Sequence, residues 1–242
     1  MRLHRFYIHK PLGEELVVES AGEGNELIHQ WAHVFRYTSG DEVILFSDVD
    51  ADTQHDYVYT ITLISQQEVR LAPSRTIPQA STLPITLVMA LVKKDTFETI
   101  VRQATELGVE RIIPVQASRS EKKNLNFERI FAISREAAEQ CGRGTLPVID
   151  DVRRVEDALT LLACTSIVGS LHGTQGVLDE LPSQPCALWV GPEGGWTDEE
   201  EVLFREHNFI FLRCADTVLK ADTAATALLA TLATRFPLQK TQ

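Results

Sequence analysis

Long hydrophobic runs are missing from this chain. No apolar stretch reaches the roughly 18–20 residues that a membrane-spanning helix needs, and the opening MRLHRFYIHKPLGEE lacks the apolar core of a signal peptide. Cysteine is sparse. Cys141, Cys164, Cys186 and Cys214 stand apart, with no C-x-x-C pair and no histidine at ligand spacing from a cysteine pair. Neither a disulfide framework nor a zinc site organises such a chain. The expectation is reduced, mostly buried thiols in a cytoplasmic, metal-free protein. No G-x-G-x-x-G occurs, and the Lys and Ser/Thr of a P-loop are absent, which removes the common dinucleotide and triphosphate cradles. Positive charge is also scarce. The 23 Lys and Arg face 34 Asp and Glu for a net charge of −11, so the chain as a whole does not advertise nucleic-acid binding.

What is present is ordinary globular material, 242 residues with 44% hydrophobic and 24% charged content. That is enough for one large domain or two small ones. Charge is unevenly spread. Residues 1–78 hold 6 basic and 12 acidic residues, 79–150 hold 10 and 9, and 151–242 hold 7 and 13. An anionic partner is therefore expected to meet the middle segment, through Arg119, Lys122, Lys123 and Arg143.

Residues 1–72 read as mostly β. Val43–Phe46 and Tyr57–Ile64 are rich in β-branched and aromatic residues. One helical pattern interrupts them, at Leu27, Ile28, Trp31, Val34 and Phe35. A small β-barrel-like domain with one helix is expected, followed by a Pro-rich linker over 73–84. From residue 85 to 242 strands and helices alternate. Strands are predicted at Ile85–Leu91, Arg111–Val115, Ile167–Leu171, Leu188–Val190 and Phe209–Leu212. Helices are predicted at Thr96–Leu107, Phe127–Cys141, Val155–Leu162, Thr197–His207 and Thr223–Phe236. Apolar strands alternating with helices imply an α/β domain around a mainly parallel sheet.

The most informative stretch is Leu188–Glu200, LWVGPEGGWTDEE. A short apolar run stops at a Gly/Pro cluster, which reads as a buried strand delivered to a tight loop. Thr197 and Glu200 have capping-box spacing, so a helix is predicted to start there. Asp198, Glu199, Glu200 and Glu201 then occupy its first turn, where a phosphate would need positive potential. The loop suits a small ligand without phosphate, held by backbone groups. Ligands of parallel sheets sit beyond the strand carboxyl ends, and Gly191–Gly195, Leu171-His172-Gly173 and Leu212–Ala215 all fall there. The three loops are expected to converge on one pocket.

Four blocks now carry a resemblance. They are HVFRYTSGDEVILF (His33–Phe46), KKDTFETIVRQATELGVERIIPVQASRS (Lys93–Ser120), EQCGR (Glu139–Arg143) and LWVGPEGGWTDEE. In order and along nearly the whole chain, they resemble the RsmE family, bacterial 16S ribosomal RNA uridine-N3 methyltransferases of the SPOUT superfamily. The resemblance implies a PUA-like RNA-binding β domain over 1–72. It implies a SPOUT methyltransferase domain over 85–242 with a C-terminal trefoil knot, S-adenosylmethionine as cofactor, a homodimer, and 16S rRNA of the small subunit as partner. By position, Leu171, Gly191, Pro192, Glu193, Gly194, Gly195, Leu212, Ala215 and Leu219 would line the cofactor site. One block departs from the family pattern. Ala215 replaces a glycine, Thr217 and Lys220 replace arginines, Asp222 replaces a glutamate, and Gln103 replaces a lysine. Arg213 is expected to cover the arginine lost at 217.

Each candidate side chain has a plain reading beside the chemical one. Glu193 is a polar contact in the pocket or a loop-bracing carboxylate. Asp222 is a catalytic group or an ordinary helix-start residue. Arg143 contacts RNA or is an exposed charge at a helix end. His172 is a base or a polar residue at the pocket edge. Arg5 and Arg36 are RNA contacts of the first domain or surface pairs. Two functions of other kinds stay open, a non-catalytic ribosome-assembly or RNA-binding protein and a SPOUT methyltransferase acting on transfer RNA.

Overall fold

The computed structural model describes residues 3–49, 54–79, 82–120, 124–175 and 181–236. They fall into two units. The first holds the described residues of 1–81 with Ala138–Thr145, and the second those of 82–137 and 146–240.

The first unit is built on strands β1 (Arg5–Tyr7), β2 (Leu16–Glu19), β3 (Glu42–Phe46), β4 (His55–Ile64) and β5 (Glu68–Pro78), in the order β1-β3-β4-β5-β2. The β1–β3 pair is parallel and the other three are antiparallel. Alternation decides which face is buried. Val43 and Leu45 of β3, Tyr59 and Ile61 of β4, and Val69 and Leu71 of β5 share one core. Helix α1 (Glu23–His29) and a π-helical turn, Gln30–Val34, bring Ile28 and Trp31 onto that core. The Pro-rich segment expected as a linker is strand as far as Pro78. Its prolines are tolerated because Pro73 pairs with Tyr59 beside a register shift, and because β5 past Leu71 has no pairing with β2.

The second unit has β6 (Leu83–Ala90), β7 (Val109–Gln116), β8 (Val148–Ile149), β9 (Arg153–Arg154), β10 (Thr165–Gln175), β11 (Cys186–Val190) and β12 (Ile210–Arg213). Their order is β12-β10-β11-β6-β7-β8, with β9 also on β7, and every pair is parallel. Its helices are α2 (Lys94–Glu106), most of α3 (Phe127–Cys141), α4 (Val155–Leu161), α5 (Asp198–Glu206) and α6 (Ala221–Ala233). A two-sided sheet explains why its strands are apolar throughout. Leu87, Met89, Leu188 and Val190 point to a core shared with α2 and α6, while Val88, Ala90, Ala187 and Trp189 point to one shared with α4 and α5. Helix α2 offers Phe97, Ile100, Val101 and Ala104 to the first of these, at helical spacing. Helices α2 and α3 are followed by left-handed glycines, Gly108 and Gly142. Among the described residues, no helix is long and apolar enough to cross a membrane.

Candidate functional site

The carboxyl ends of β7, β11 and β12 and a loop-out within β10 meet around one cavity of the second unit. Strand β11 is buried along its whole length and delivers Gly191–Gly195. The Gly195 N–H closes the turn on the Pro192 carbonyl at 2.8 Å. Helix α5 then starts with the expected capping box. The Thr197 hydroxyl accepts the Glu200 N–H at 3.2 Å, and the Glu200 carboxylate accepts the Thr197 N–H at 2.8 Å. Glu200 is buried, and its other oxygen accepts the Ser118 N–H at 2.8 Å. Arg119, just past β7, donates from one terminal nitrogen to the carbonyls of Gly194 (2.9 Å) and Trp196 (3.1 Å).

Strand β10 contributes through an irregularity. Gly169 and Thr174 both register against Leu212, so residues 170–173 loop out of the ladder. Such a bulge re-aims side chains, and here Ser170, Leu171 and His172 join the cavity wall. The Ser170 hydroxyl donates to Glu201 at 2.9 Å. Helix α6 approaches closely at Gly169, since a Cβ there would lie 2.7 Å from Leu228 Cδ1. Leu212 and Arg213 at the end of β12, Cys214, Ala215 and Thr217 to Leu219 form the remaining wall, with Arg213 paired to Asp216 at 3.6 Å. Ala221, Ala224 and Leu228 of α6 complete the lining.

The cavity has a volume of about 380 Å³, within the range of roughly 300–1,000 Å³ typical of small-molecule sites. Its charged lining is mixed, with Arg119 and Arg213 against Glu193 and Glu201. The Glu199 carboxyl is held below the usual carboxylate range, first by its own backbone N–H, then by the Thr197 hydroxyl and the nearby Arg119 charge. Glu199 therefore carries its charge at neutral pH. Burial pushes the Cys214 thiol up, so this cavity residue is not a ready thiolate.

All nine residues expected at a cofactor site, Leu171, Gly191 to Gly195, Leu212, Ala215 and Leu219, line this cavity. Glu193 stands exposed on the rim, with one oxygen 3.5 Å from the Lys93 N–H at the start of α2. Asp222 is not in the wall. It sits in the first turn of α6 and accepts the Thr223 N–H at 2.9 Å. Arg143 belongs to the first unit and is 5% exposed, with its Nε donating to Thr145 at 3.1 Å. The surface charge expected there is thus a buried one, turned to protein rather than presented to phosphate. Arg5 is committed to the fully buried Asp56, which also accepts from Gln79 at 3.0 Å. Arg36 is exposed. Lys122 and Lys123 lie outside the described residues. Arg119, expected as a contact for an anionic partner, instead binds the glycine loop directly.

Sequence reasoning also missed Ser170, Glu201, Ala221, Ala224 and Leu228 in the wall. The last three recur at helical spacing, which is the one signal that marks them as a common face.

The model of the RNA methyltransferase domain family matches residues 79–233, more than half of the chain. A ribosomal RNA small subunit methyltransferase E of Rickettsia conorii is 27% identical over 238 residues, 95% of this chain and 95% of its own. The Bacillus subtilis protein of the same name is 28% identical over 218 residues, 82% of this chain and 84% of its own. The crystal structure of a ribosomal RNA small subunit methyltransferase E from Neisseria gonorrhoeae, bound to S-adenosyl methionine, superposes with a TM-score of 0.84 at 23% identity. It covers 97% of this chain and 98% of that one, so the fold is the same. The chain is similar to the methyltransferase E proteins along nearly its whole length, and it belongs to the RNA methyltransferase domain family.

Proposed function

We infer that this chain transfers a methyl group from S-adenosylmethionine to N3 of a specific uridine in the 16S ribosomal RNA of the small subunit. The observation that carries this reading is the cavity at the carboxyl ends of β7, β11 and β12 and the loop-out of β10, with a glycine loop on one side and an acidic helix start beside it. The residues present fit the cofactor. A Cβ at Gly194 would lie 3.3 Å from Arg119, and one at Gly191 would lie 3.1 Å from Trp196, so the loop backbone itself forms the cradle. An acidic first turn repels phosphate and tolerates a cation.

When bound, S-adenosylmethionine supplies an electrophilic methyl on a positively charged sulfur. Leu171, Leu212, Ala215 and Leu219 give that cofactor an apolar wall, and Gly191–Gly195 hold it by main-chain groups. Uridine N3 must lie in line with the methyl and lose a weakly held proton. Positioning supplies much of the rate, and a cation near the uracil oxygens stabilises the anion that develops. Glu193 on the rim is the polar contact for the uracil edge. Arg213 is the lining cation available to the uracil oxygens. Asp222, outside the wall, orders the start of α6.

The finer architecture follows the same reading. The first unit is a PUA-like RNA-binding domain, the second a SPOUT domain with a trefoil knot, and the working form a cytoplasmic homodimer. Ala224 and Ala227 of α6 are partly exposed and Ala230 is exposed, which supports burial against a second copy. Arg36 is the cation the first unit offers to RNA. The test is transfer of labelled methyl to small ribosomal subunits from a strain lacking the activity, with the modified base identified. Label at uridine N3 supports the reading. Label only on transfer RNA redirects it, and an absence of both transfer and cofactor binding leaves the non-catalytic alternative.

A further inference from the structure

The segment after β7 is tied to the glycine loop and to the helix start that follows it at three points, although more than 70 residues separate them in the chain. The Ser118 N–H binds buried Glu200, and the Arg119 guanidinium binds the Gly194 and Trp196 carbonyls. The other half of each of those two peptides is also engaged. The Gly195 N–H goes to Pro192 and the Thr197 N–H to Glu200. The loop backbone is thus fixed on both sides, and Arg119 is the only charged donor on the carbonyl side among the described residues. Its Cβ and Cδ also lie where a side chain at 194 would have to go. A charge-assisted bond is stronger than a neutral one, and one terminal nitrogen reaching two carbonyls holds them at a fixed separation.

We propose that Arg119 is a positioning residue for the cofactor loop. By clasping the Gly194 and Trp196 carbonyls, it holds the backbone of Glu193–Trp196 in the shape that forms the cavity wall. Glu200 anchors the following helix without it, so the effect of Arg119 is confined to the loop. The ligand half of this inference rests on the cofactor reading above. The loop half does not.

The experiment compares wild type, Arg119→Ala and Arg119→Lys. Amide hydrogen exchange is measured without ligand, beside calorimetric titration with S-adenosylmethionine and the urea midpoint. In Arg119→Ala, exchange speeds up across Glu193–Trp196 while Thr197–Glu206 and the urea midpoint stay as in wild type. The cofactor Kd rises about tenfold, equal to about 1.4 kcal/mol, and the loss falls on KM for the cofactor more than on kcat. Arg119→Lys recovers part of the affinity, and added methylguanidinium recovers part of it in Arg119→Ala. Unchanged exchange over Glu193–Trp196 overturns the clasp. So does a uniform rise across the second unit with a lowered urea midpoint, which is the signature of general destabilisation. If the wild type binds no S-adenosylmethionine, the cofactor reading falls and the exchange arm alone decides the clasp.

Discussion

Replacing Arg36 with glycine should stabilise the first unit and weaken RNA binding. Arg36 follows the π-helical turn at φ +55°, in the left-handed region. The chain reverses there, because the Phe35 N–H returns to Gln30 at 3.0 Å and the Tyr37 N–H to Trp31 at 2.9 Å. This is the position after a helix that glycine usually takes. A residue with a Cβ costs about 1–2 kcal/mol there. Arg36 is exposed, and among the described residues it makes no hydrogen bond or ion pair that would offset the cost. Strain without local compensation points to function. On either side of it, the Phe35 and Tyr37 rings are stacked 5.4 Å apart and His4 lies 4.4 Å from Phe35, which fixes the neighbours of the strained residue. Glycine relieves the strain but widens the unfolded ensemble, which takes back about 0.5–1 kcal/mol. The net gain is about 0.5–1 kcal/mol. With a urea slope of about 1–3 kcal/mol per molar, the midpoint rises by a few tenths molar. In a salt series of RNA binding, the log–log slope falls by about 0.7–0.9 for the one lost phosphate contact. A lowered urea midpoint would show that Arg36 supports the fold, and an unchanged salt slope would remove it from the RNA interface.

Gly194→Val should weaken S-adenosylmethionine binding at least as much as Arg119→Ala, because the new side chain displaces Arg119; calorimetry on the double variant should find little further loss, as expected for two changes that break one contact. Gly169→Ala should cost about 1–3 kcal/mol in urea denaturation through overpacking against Leu228, and Leu228→Ala in the same chain should relieve that clash, so a double variant no better than the sum of the singles refutes the packing. Cys214 is the exposed thiol among four free cysteines, so mass spectrometry after limited alkylation should find it modified first, more slowly near neutral pH than an unburied cysteine because its pKa is raised, and S-adenosylmethionine should protect it.

How legible the molecule was depends on whether a feature is local. Helix α3 has the predicted bounds, Phe127–Cys141, because its amphipathic period and the following Gly142 are both nearby in sequence. Helix α6 starts at Ala221, two residues before the predicted Thr223, since alanine and aspartate carry little signal for a helix start. The pocket at the strand ends was legible because parallel sheets place ligands there. The loop-out at 170–173 was not, for it is defined by two residues registering against one, which alternation in β10 alone cannot reveal. Arg119 was read as a surface cation because its partners are main-chain carbonyls, which leave no trace in side-chain chemistry. The Arg5–Asp56 pair was missed for a related reason, as Asp56 looks like an ordinary strand-end charge until the sheet closes over it.

The departures from the family pattern fall where the two halves of the proposed chemistry can be separated. Gln103 sits between helices, with its amide oxygen accepting the Thr226 hydroxyl at 2.6 Å, so a neutral group there joins α2 to α6 without reaching the cavity. Lys220 and Asp222 bracket the start of α6 and also lie outside the wall. Only Ala215 and Thr217 of the altered positions face the cavity. None of them takes part in the Ser118–Glu200 bond, in the Arg119 bonds to the Gly194 and Trp196 carbonyls, or in the Gly191–Gly195 backbone, so what holds the glycine loop is intact. What changes is the charge left for the substrate. With threonine at 217, the cationic lining residues are Arg119 and Arg213, and Arg119 is already bound to two carbonyls. In the proposed chemistry Arg213 is therefore the cation on the wall left for a developing uracil anion, and its pairing with exposed Asp216 at 3.6 Å is loose enough to yield to a better partner.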